Sequence, residues 1–519
     1  MFTSMLFLFA SAQADDLTPT KAEDLNLYEL ARAMSIDLRG TVLTPSEIEA
    51  IEQSGSIENS LLDSWMQTTA FEEQVIAHHR FLFWNNVSFD VNDNTRILRG
   101  FSRFGGLFGY NRWYSYYRSG VLREMHHTQC SDYEADVNAL NQPQSWIIRD
   151  NYGNEAETGW KDEGYVWVTP WWDMENPLKV CAFDAQLTEI SSTGTDCSTS
   201  EAKYDSECGC GENLIWCSID EQEDKVEASL SDALSERVRL VLQNQQPYSA
   251  LLTESTVIVN GAIVGWYKNR SNFSSSLRSP IPLEDLPELT PEQEDTWVSI
   301  PVEEHYAGVL TEPGWLLRHQ TDRGRASRFY SAFLCREFQS PPGGIKELVE
   351  DNPTPDLSRK PVCKDCHVLL EPWAAYWGRW SQASANYNTE EDFPTFSDEC
   401  NDCAPGCGNA YCKLNYLLKS THPHQDDYIG WYKPYLYLGV DDVDNPIIGP
   451  KKWVDEIISD GNFAQCASQN AATWLLGWSN DQIEYDWVQQ WAADFEASGL
   501  DYRTLILSIV TSPVYARSK

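Results

Sequence analysis

Pro361-Val362-Cys363-Lys364-Asp365-Cys366-His367 decides how the middle of this chain is built. Cys-x-x-Cys-His is the spacing of c-type haem attachment. Two thiols must reach the two vinyl groups of one porphyrin, and the imidazole must then stand over the iron. Residues three and four apart on a helical turn share a face, so one turn presents all three groups to the same side. The stretch is predicted to open a helix, with haem c held by Cys363 and Cys366 and with His367 as the proximal iron ligand. With 14 Cys and 9 His in 519 residues, random placement yields this pattern far less than once. Two other readings stay open. The two cysteines form a disulfide that happens to precede a histidine, or they join Cys400 and Cys403 in a zinc site. The gap between those pairs is longer than common zinc-ribbon spacing, and exported thiols tend to oxidise.

The second axial ligand is harder to read. Small electron-transfer cytochromes often use a downstream Met, but no Met follows Met174. The distal candidates are His422 and His424 in Thr421-His422-Pro423-His424, the pair His126-His127, the pair His78-His79, and Met174. Each, taken alone, is more often an ordinary core or surface residue. Bis-histidine ligation lowers the potential relative to Met–His. An unfilled position would instead open the iron to a small ligand, as in a haem oxidoreductase. Electron transfer is the expectation and the haem enzyme its alternative. A third reading is a disulfide-rich binding or scaffold protein without haem, using its Trp-rich stretch as a recognition surface.

Outward from the motif, helical signals dominate. Thr44-Pro45-Ser46-Glu47 carries a cap, a helix-starting Pro and a Glu at the third helical position. Ile57, Leu61, Leu62, Trp65 and Met66, then Phe71, Val75, Ile76, His79, Leu82 and Phe83, recur at helical spacing. Residues 15–84 read as an N-terminal helical domain. From 85 to 225 the pattern breaks into a Trp- and Cys-rich insertion, with a strand at Tyr165-Val166-Trp167-Val168 and Gly, Ser and Thr around Cys197, Cys208, Cys210 and Cys217. A helical segment follows over 226–285, and Pro- and Glu-rich 277–301 reads as a linker. Residues 286–459 form the haem domain, and 460–519 a C-terminal helical domain around Trp487, Trp491, Phe495, Leu505, Ile506, Ile509 and Val510. The expected fold is mainly α: a multidomain helical protein with a c-type haem domain and an irregular, disulfide-rich, partly β insertion.

Composition narrows the function classes. The formal charge of −40 argues against a nucleic-acid partner, which needs a basic footprint; it suits first a solvated acidic surface in a salty exterior and second a redox partner protein of cationic surface. Residues 1–14 read as a secretory signal, with an apolar core Met5–Ala10 and small-x-small cleavage sites ending at Ala12 or Ala14. The basic residue expected before that core is missing. No later run reaches the length of a membrane span. Fourteen cysteines suit an oxidising compartment, so the expected address is periplasmic or secreted. Dense Cys400–Cys412 reads as local disulfides before a metal cluster, and Cys130, Cys181, Cys335 and Cys466 as longer-range staples.

In order along the chain, four stretches resemble the planctomycete-type cytochrome C family of exported multidomain bacterial proteins. They are Asp37-Leu38-Arg39-Gly40 with Leu43–Ile48; Leu251-Leu252-Thr253 through Val259-Asn260-Gly261 to Trp266-Tyr267; Gly308–Thr311, Arg323-Gly324-Arg325 and Cys335, continuing through Cys363–His367, Leu370-Glu371-Pro372 and Gly378-Arg379-Trp380; and Cys466–Leu476 with Tyr502–Leu505 and Ser512-Pro513. The resemblance implies one covalent haem and electron transfer, and no substrate. Where the family usually follows the haem His with Asp-Pro-Leu-Gly, this chain has Glu371-Pro372-Trp373, so a different packing around the His is expected.

Overall fold

The capping signal at Thr44 is realised in full. Glu47 N–H donates to Thr44 Oγ1 at 3.3 Å, and Thr44 N–H donates back to Glu47 Oε2 at 2.7 Å. The computed structural model describes residues 26–87, 133–338 and 357–433 apart from short breaks, and 445–518, with the backbone of 98–100 and 113–116. Its contacts divide the chain into two units, Met1–Gln74 with Ala467–Lys519, and Val75–Cys466. The N-terminal helices are α1 (Leu27–Arg39), α2 (Pro45–Ser54), α3 (Asn59–Met66) and α4 (Thr69–Phe83).

Glu47 ties the first three together. It pairs with Arg39 at 2.7 Å and accepts the Trp65 indole N–H at 2.8 Å, while the Arg39 guanidinium lies 4.4 Å from the Trp65 ring centre. Burial pushes the Glu47 carboxyl up, but Arg39, the Thr44 N–H and Trp65 outweigh it and hold it down at about 2. A carboxyl lowered on folding stabilises above its unfolded value and loses that contribution as pH falls through the folded one. Glu47→Gln keeps a residue compatible with the capping box. It should lower stability at neutral pH and flatten the acid limb between the model-peptide value of 4.5 and about 2. Urea midpoints across that window measure it, and an undiminished slope in the variant would refute the role.

After the end of α4, the second unit continues with short strands: β1 (Leu98–Gly100), β2 (Trp113–Tyr116), β3 (Ile147–Arg149), β4 (Trp160–Asp162), β5 (Tyr165–Val168) and β6 (Leu178–Cys181). Four of them form a sheet in the order β1-β2-β6-β5, parallel only between β2 and β6, while β3 and β4 pair separately. Trp171, Trp172, Leu214 and Ile219 form one buried cluster with Val180 of β6. Disulfides Cys197–Cys208 and Cys210–Cys217 pin the loops that follow, and Cys181 is also disulfide-bonded. The expected disulfide-rich, partly β stretch is present.

Helices then resume with α5 (Asp220–Gln243), α6 (Ala250–Thr253) and α7 (Gly261–Arg270), interrupted by β7 (Thr256–Val259). Residues 277–301, expected as a linker, end in a strand, β8 (Val298–Pro301), paired antiparallel with β7. Pro and Glu mask the signal, but Ile300 alternates inward between exposed Ser299 and Pro301. Next come α8 (Pro313–Arg318) and α9 (Asp322–Leu334). Gly314 lets α8 close on α5: a Cβ there would stand 2.1 Å from the Leu230 carbonyl oxygen. Beside it, buried Glu312 accepts from Arg237 at 2.6 Å and from the Ile258 N–H at 2.8 Å, so α5, β7 and α8 meet at one charge pair.

The remaining helices are α10 (Lys364–Ala374), α11 (Asp398–Cys403), α12 (Ala410–Asn415), α13 (Asn445–Ile448), α14 (Pro450–Ser459), α15 (Asn462–Leu476), α16 (Tyr485–Ala497), α17 (Tyr502–Val510) and α18 (Pro513–Ser518). Cys335, which caps α9 in a left-handed conformation, is joined to Cys466 of α15. Within the first unit, Arg503 donates to the Met66 carbonyl at 3.0 Å and Tyr515 to Asp37 at 2.6 Å. The fold is mainly α with disulfide-rich parts. Among the described residues no helix is long and apolar enough to cross a membrane.

Candidate functional site

Cys363 stands at the N-terminal end of α10, and its carbonyl accepts from Cys366 N–H at 3.2 Å and His367 N–H at 3.0 Å. That single turn carries both thiols and the imidazole, as the spacing predicts. Cys363 and Cys366 are free and partly exposed, whereas every other described cysteine is oxidised. The zinc reading fails here. Cys400 is joined to Cys412 and Cys403 to Cys407, so neither thiolate remains for a metal. The sulfurs of Cys403, Cys407 and Cys412 lie within 4.8 Å of one another, but that proximity is the packing of two bridges.

The His367 ring is held from one side. Its Nδ1 meets Glu371 Oε1 at 2.7 Å, one helical turn on, and the same oxygen accepts from Arg323 Nε of α9 at 2.8 Å. A carboxylate on Nδ1 favours the tautomer protonated there and leaves the lone pair on Nε2, the arrangement usual for metal-bound histidines. No partner for Nε2 is found among the described residues. Sequence reasoning quoted Glu371 and Arg323 only as pieces of a resemblance. The i, i+4 spacing from His367 to Glu371 was the signal that could have found the first; Arg323 is brought in by tertiary packing and had none.

Next to the motif, Val368 and Leu369 are exposed, an unusual placement for two large aliphatic residues in succession. The opposite face of α10 buries Leu370 and Ala374. Pro372 sits inside the helix and has no N–H to give the Val368 carbonyl, so the helix passes into a tight turn at Ala375–Trp377. Trp373, where the resemblance would put Leu, packs on Tyr330 at 5.2 Å and on Trp453 at 3.6 Å between ring centres. Tyr376 and Phe329 complete that aromatic seat, with centroids 5.6 and 4.2 Å from Trp453. Trp373 thus seats the C-terminal half of α10 in an aromatic cluster.

Of the distal candidates, His126, His127 and His422 lie outside the described residues. His424 falls in the turn Pro423–Tyr428, where its backbone alone is described. His79 is a core residue: Nδ1 bonds the Val75 carbonyl at 2.8 Å and Nε2 the Tyr248 hydroxyl at 2.8 Å, which leaves no nitrogen for iron. Burial holds its imidazole down at about 4, hence neutral. His78 is half-buried beside it, and desolvation lowers its pKa too. Met174 is exposed on the wall of a cavity it shares with Trp172 and Gln222.

Two free thiols, a His367 Nε2 with no partner among the described residues and adjacent exposed aliphatic side chains together fit a covalently held porphyrin. Comparison with models of protein families, with characterised proteins and with solved structures returned no match.

Proposed function

We propose that the chain is an exported c-type cytochrome of the planctomycete type, carrying one haem and transferring electrons in the periplasm or outside the cell. The observation that carries the reading is the pair Cys363 and Cys366. Both remain thiols in a chain whose other described cysteines are paired, and both share a helical turn with a histidine already oriented through Nδ1. Cys363 and Cys366 would hold the haem through thioethers, and His367 Nε2 would be its protein ligand; when bound, the group would supply a one-electron couple. Glu371 holds the imidazole ring through Nδ1, Arg323 shares the same carboxylate oxygen, and Val368 and Leu369 would offer the apolar surface beside it. The charge of −40 suits a cationic redox partner.

Protein made in a host competent in haem attachment should show the reduced-minus-oxidised bands of haem c and a positive pyridine haemochrome assay. Colourless protein with the mass of the polypeptide alone would end this reading. Carbon monoxide then separates electron transfer from small-ligand chemistry. No Soret shift on the reduced form is expected if a histidine fills the sixth position.

A further inference from the structure

Cys400, Cys403, Cys407 and Cys412 lie in one short hairpin, α11 and α12 joined by a mostly exposed loop. Two bridges, Cys400–Cys412 and Cys403–Cys407, use all four. The sulfurs of Cys403, Cys407 and Cys412 lie within 4.8 Å of one another, so each bridge has a sulfur of the other beside it. Contacts other than the bridges also hold the hairpin. Ser397 Oγ accepts from the Cys400 N–H at 3.2 Å, Asn409 Oδ1 accepts from the Cys412 N–H at 2.8 Å, and the Asn409 side-chain amide donates to Glu399 at 2.9 Å. Buried Tyr416 and Tyr432 pack in the same cluster.

The bridges differ in how they are reached. Cys403 is partly exposed, whereas Cys400 and Cys412 are fully buried and Cys407 is 4 % exposed. A bridge gains stability with the length of chain it closes, and Cys403–Cys407 spans four positions against 131 for Cys335–Cys466. Cys197–Cys208 and Cys210–Cys217 are buried at both ends. Among these bridges, Cys403–Cys407 is the one that a thiolate opens most readily.

We propose that this hairpin is a thiol–disulfide exchange site that takes two electrons from a dithiol and holds them on Cys400 and Cys403. A thiolate of the donor attacks the Cys403 sulfur, the Cys403–Cys407 bond breaks, and a mixed disulfide to Cys403 forms. The electron pair leaves on Cys407, whose thiolate has Cys412 within 4.8 Å. Its attack closes Cys407–Cys412 and expels Cys400, which takes a proton. The donor's second thiol then breaks the mixed disulfide, departs as a cyclic disulfide and leaves Cys403 a thiol. One dithiol is oxidised and two protein thiols are gained. Those two stand in Cys400-Asn401-Asp402-Cys403, the Cys-x-x-Cys spacing of dithiols that exchange with other proteins, on one turn of α11. The site is independent of the haem reading, since neither Cys363 nor Cys366 takes part.

The test uses the full-length protein, folded and unsubstituted. Thiols already free are blocked with light N-ethylmaleimide, the excess is removed, and dithiothreitol is added stepwise without oxygen. Acid stops the exchange. Thiols released by the reductant are then labelled with deuterated N-ethylmaleimide in denaturant and mapped by peptide mass spectrometry. The first two-electron product should carry label on Cys400 and Cys403 with Cys407–Cys412 intact. It should appear at about one tenth or less of the dithiothreitol that opens Cys335–Cys466. Label confined to Cys403 and Cys407 would overturn the transfer between bridges. Earlier opening of any other bridge, or no label short of unfolding, would overturn the site.

Discussion

His367→Gly should leave the thioethers intact and abolish the low-spin spectrum, and added imidazole should restore it. On the proposed reading Cys363 and Cys366 do the attaching, so the variant is expected to keep its haem through denaturing electrophoresis. What it loses is the nitrogen over the iron. The geometry adds a graded companion. Glu371 Oε1 lies 2.7 Å from His367 Nδ1, and such carboxylate partners raise ligand basicity; their loss typically changes metal affinity by about 10–100-fold. A more basic imidazole favours the oxidised iron, so Glu371→Gln should raise the reduction potential. The potential moves only with the difference between ferric and ferrous affinities, so at about 59 mV per tenfold for one electron the upward shift has a ceiling of about 60–120 mV. Arg323→Gln releases the same carboxylate oxygen from its second donor and should move the potential the other way by a smaller amount. Spectroelectrochemical titration reads all three. A haem-loaded Glu371→Gln protein with an unchanged potential would remove Glu371 from the role while leaving the cytochrome reading standing. An unaltered His367→Gly spectrum would remove His367.

How much of this was legible beforehand depends on the range of the interaction. Local signals held. The Thr44 capping box, the strand at Tyr165–Val168 and the single turn from Cys363 to His367 all follow from residues within a few positions of one another. The disulfides were anticipated as local clusters, and Cys335 and Cys466 as long-range staples, because oxidation and spacing suffice for that. Pairing across space was not legible. β8 hides in a Pro- and Glu-rich stretch because its partner, β7, lies some forty residues earlier. His79 looked like a ligand candidate because nothing nearby announces Tyr248, 169 positions on. Gln222 is one polar residue among the many on α5, and only the fold reveals that it is buried.

Arg325 belongs to the same illegible class, and its replacement carries the largest stability effect expected in the second unit. The side chain is fully buried and charged, since burial lowers it only to about 10 against the opposing pull of Asp322. Its guanidinium donates to the carbonyls of His319 at 3.0 Å, Trp380 at 3.0 Å, Ser381 at 2.8 Å and Ser384 at 3.0 Å, and to Asp322 at 3.1 Å. No other side chain could serve so many acceptors from one plane, because the fork is specific to arginine. Arg325→Met removes every donor at once and strands Asp322 without its partner. Breaking a buried pair costs about 3–5 kcal/mol, and the orphaned carbonyls add to it. Arg325→Lys keeps the charge but delivers it as a point, so it should recover only a minor part. The consequence reaches the site, because α9 carries Arg325 and Arg323 two residues apart and presents Arg323 to Glu371. Loosening the loop at 380–384 should therefore blur the His367 environment even below the melting point. Guanidinium titration of Arg325→Met would show the loss directly. A decrease below about 1 kcal/mol would mean that water replaces the guanidinium and that the arginine is no structural hub.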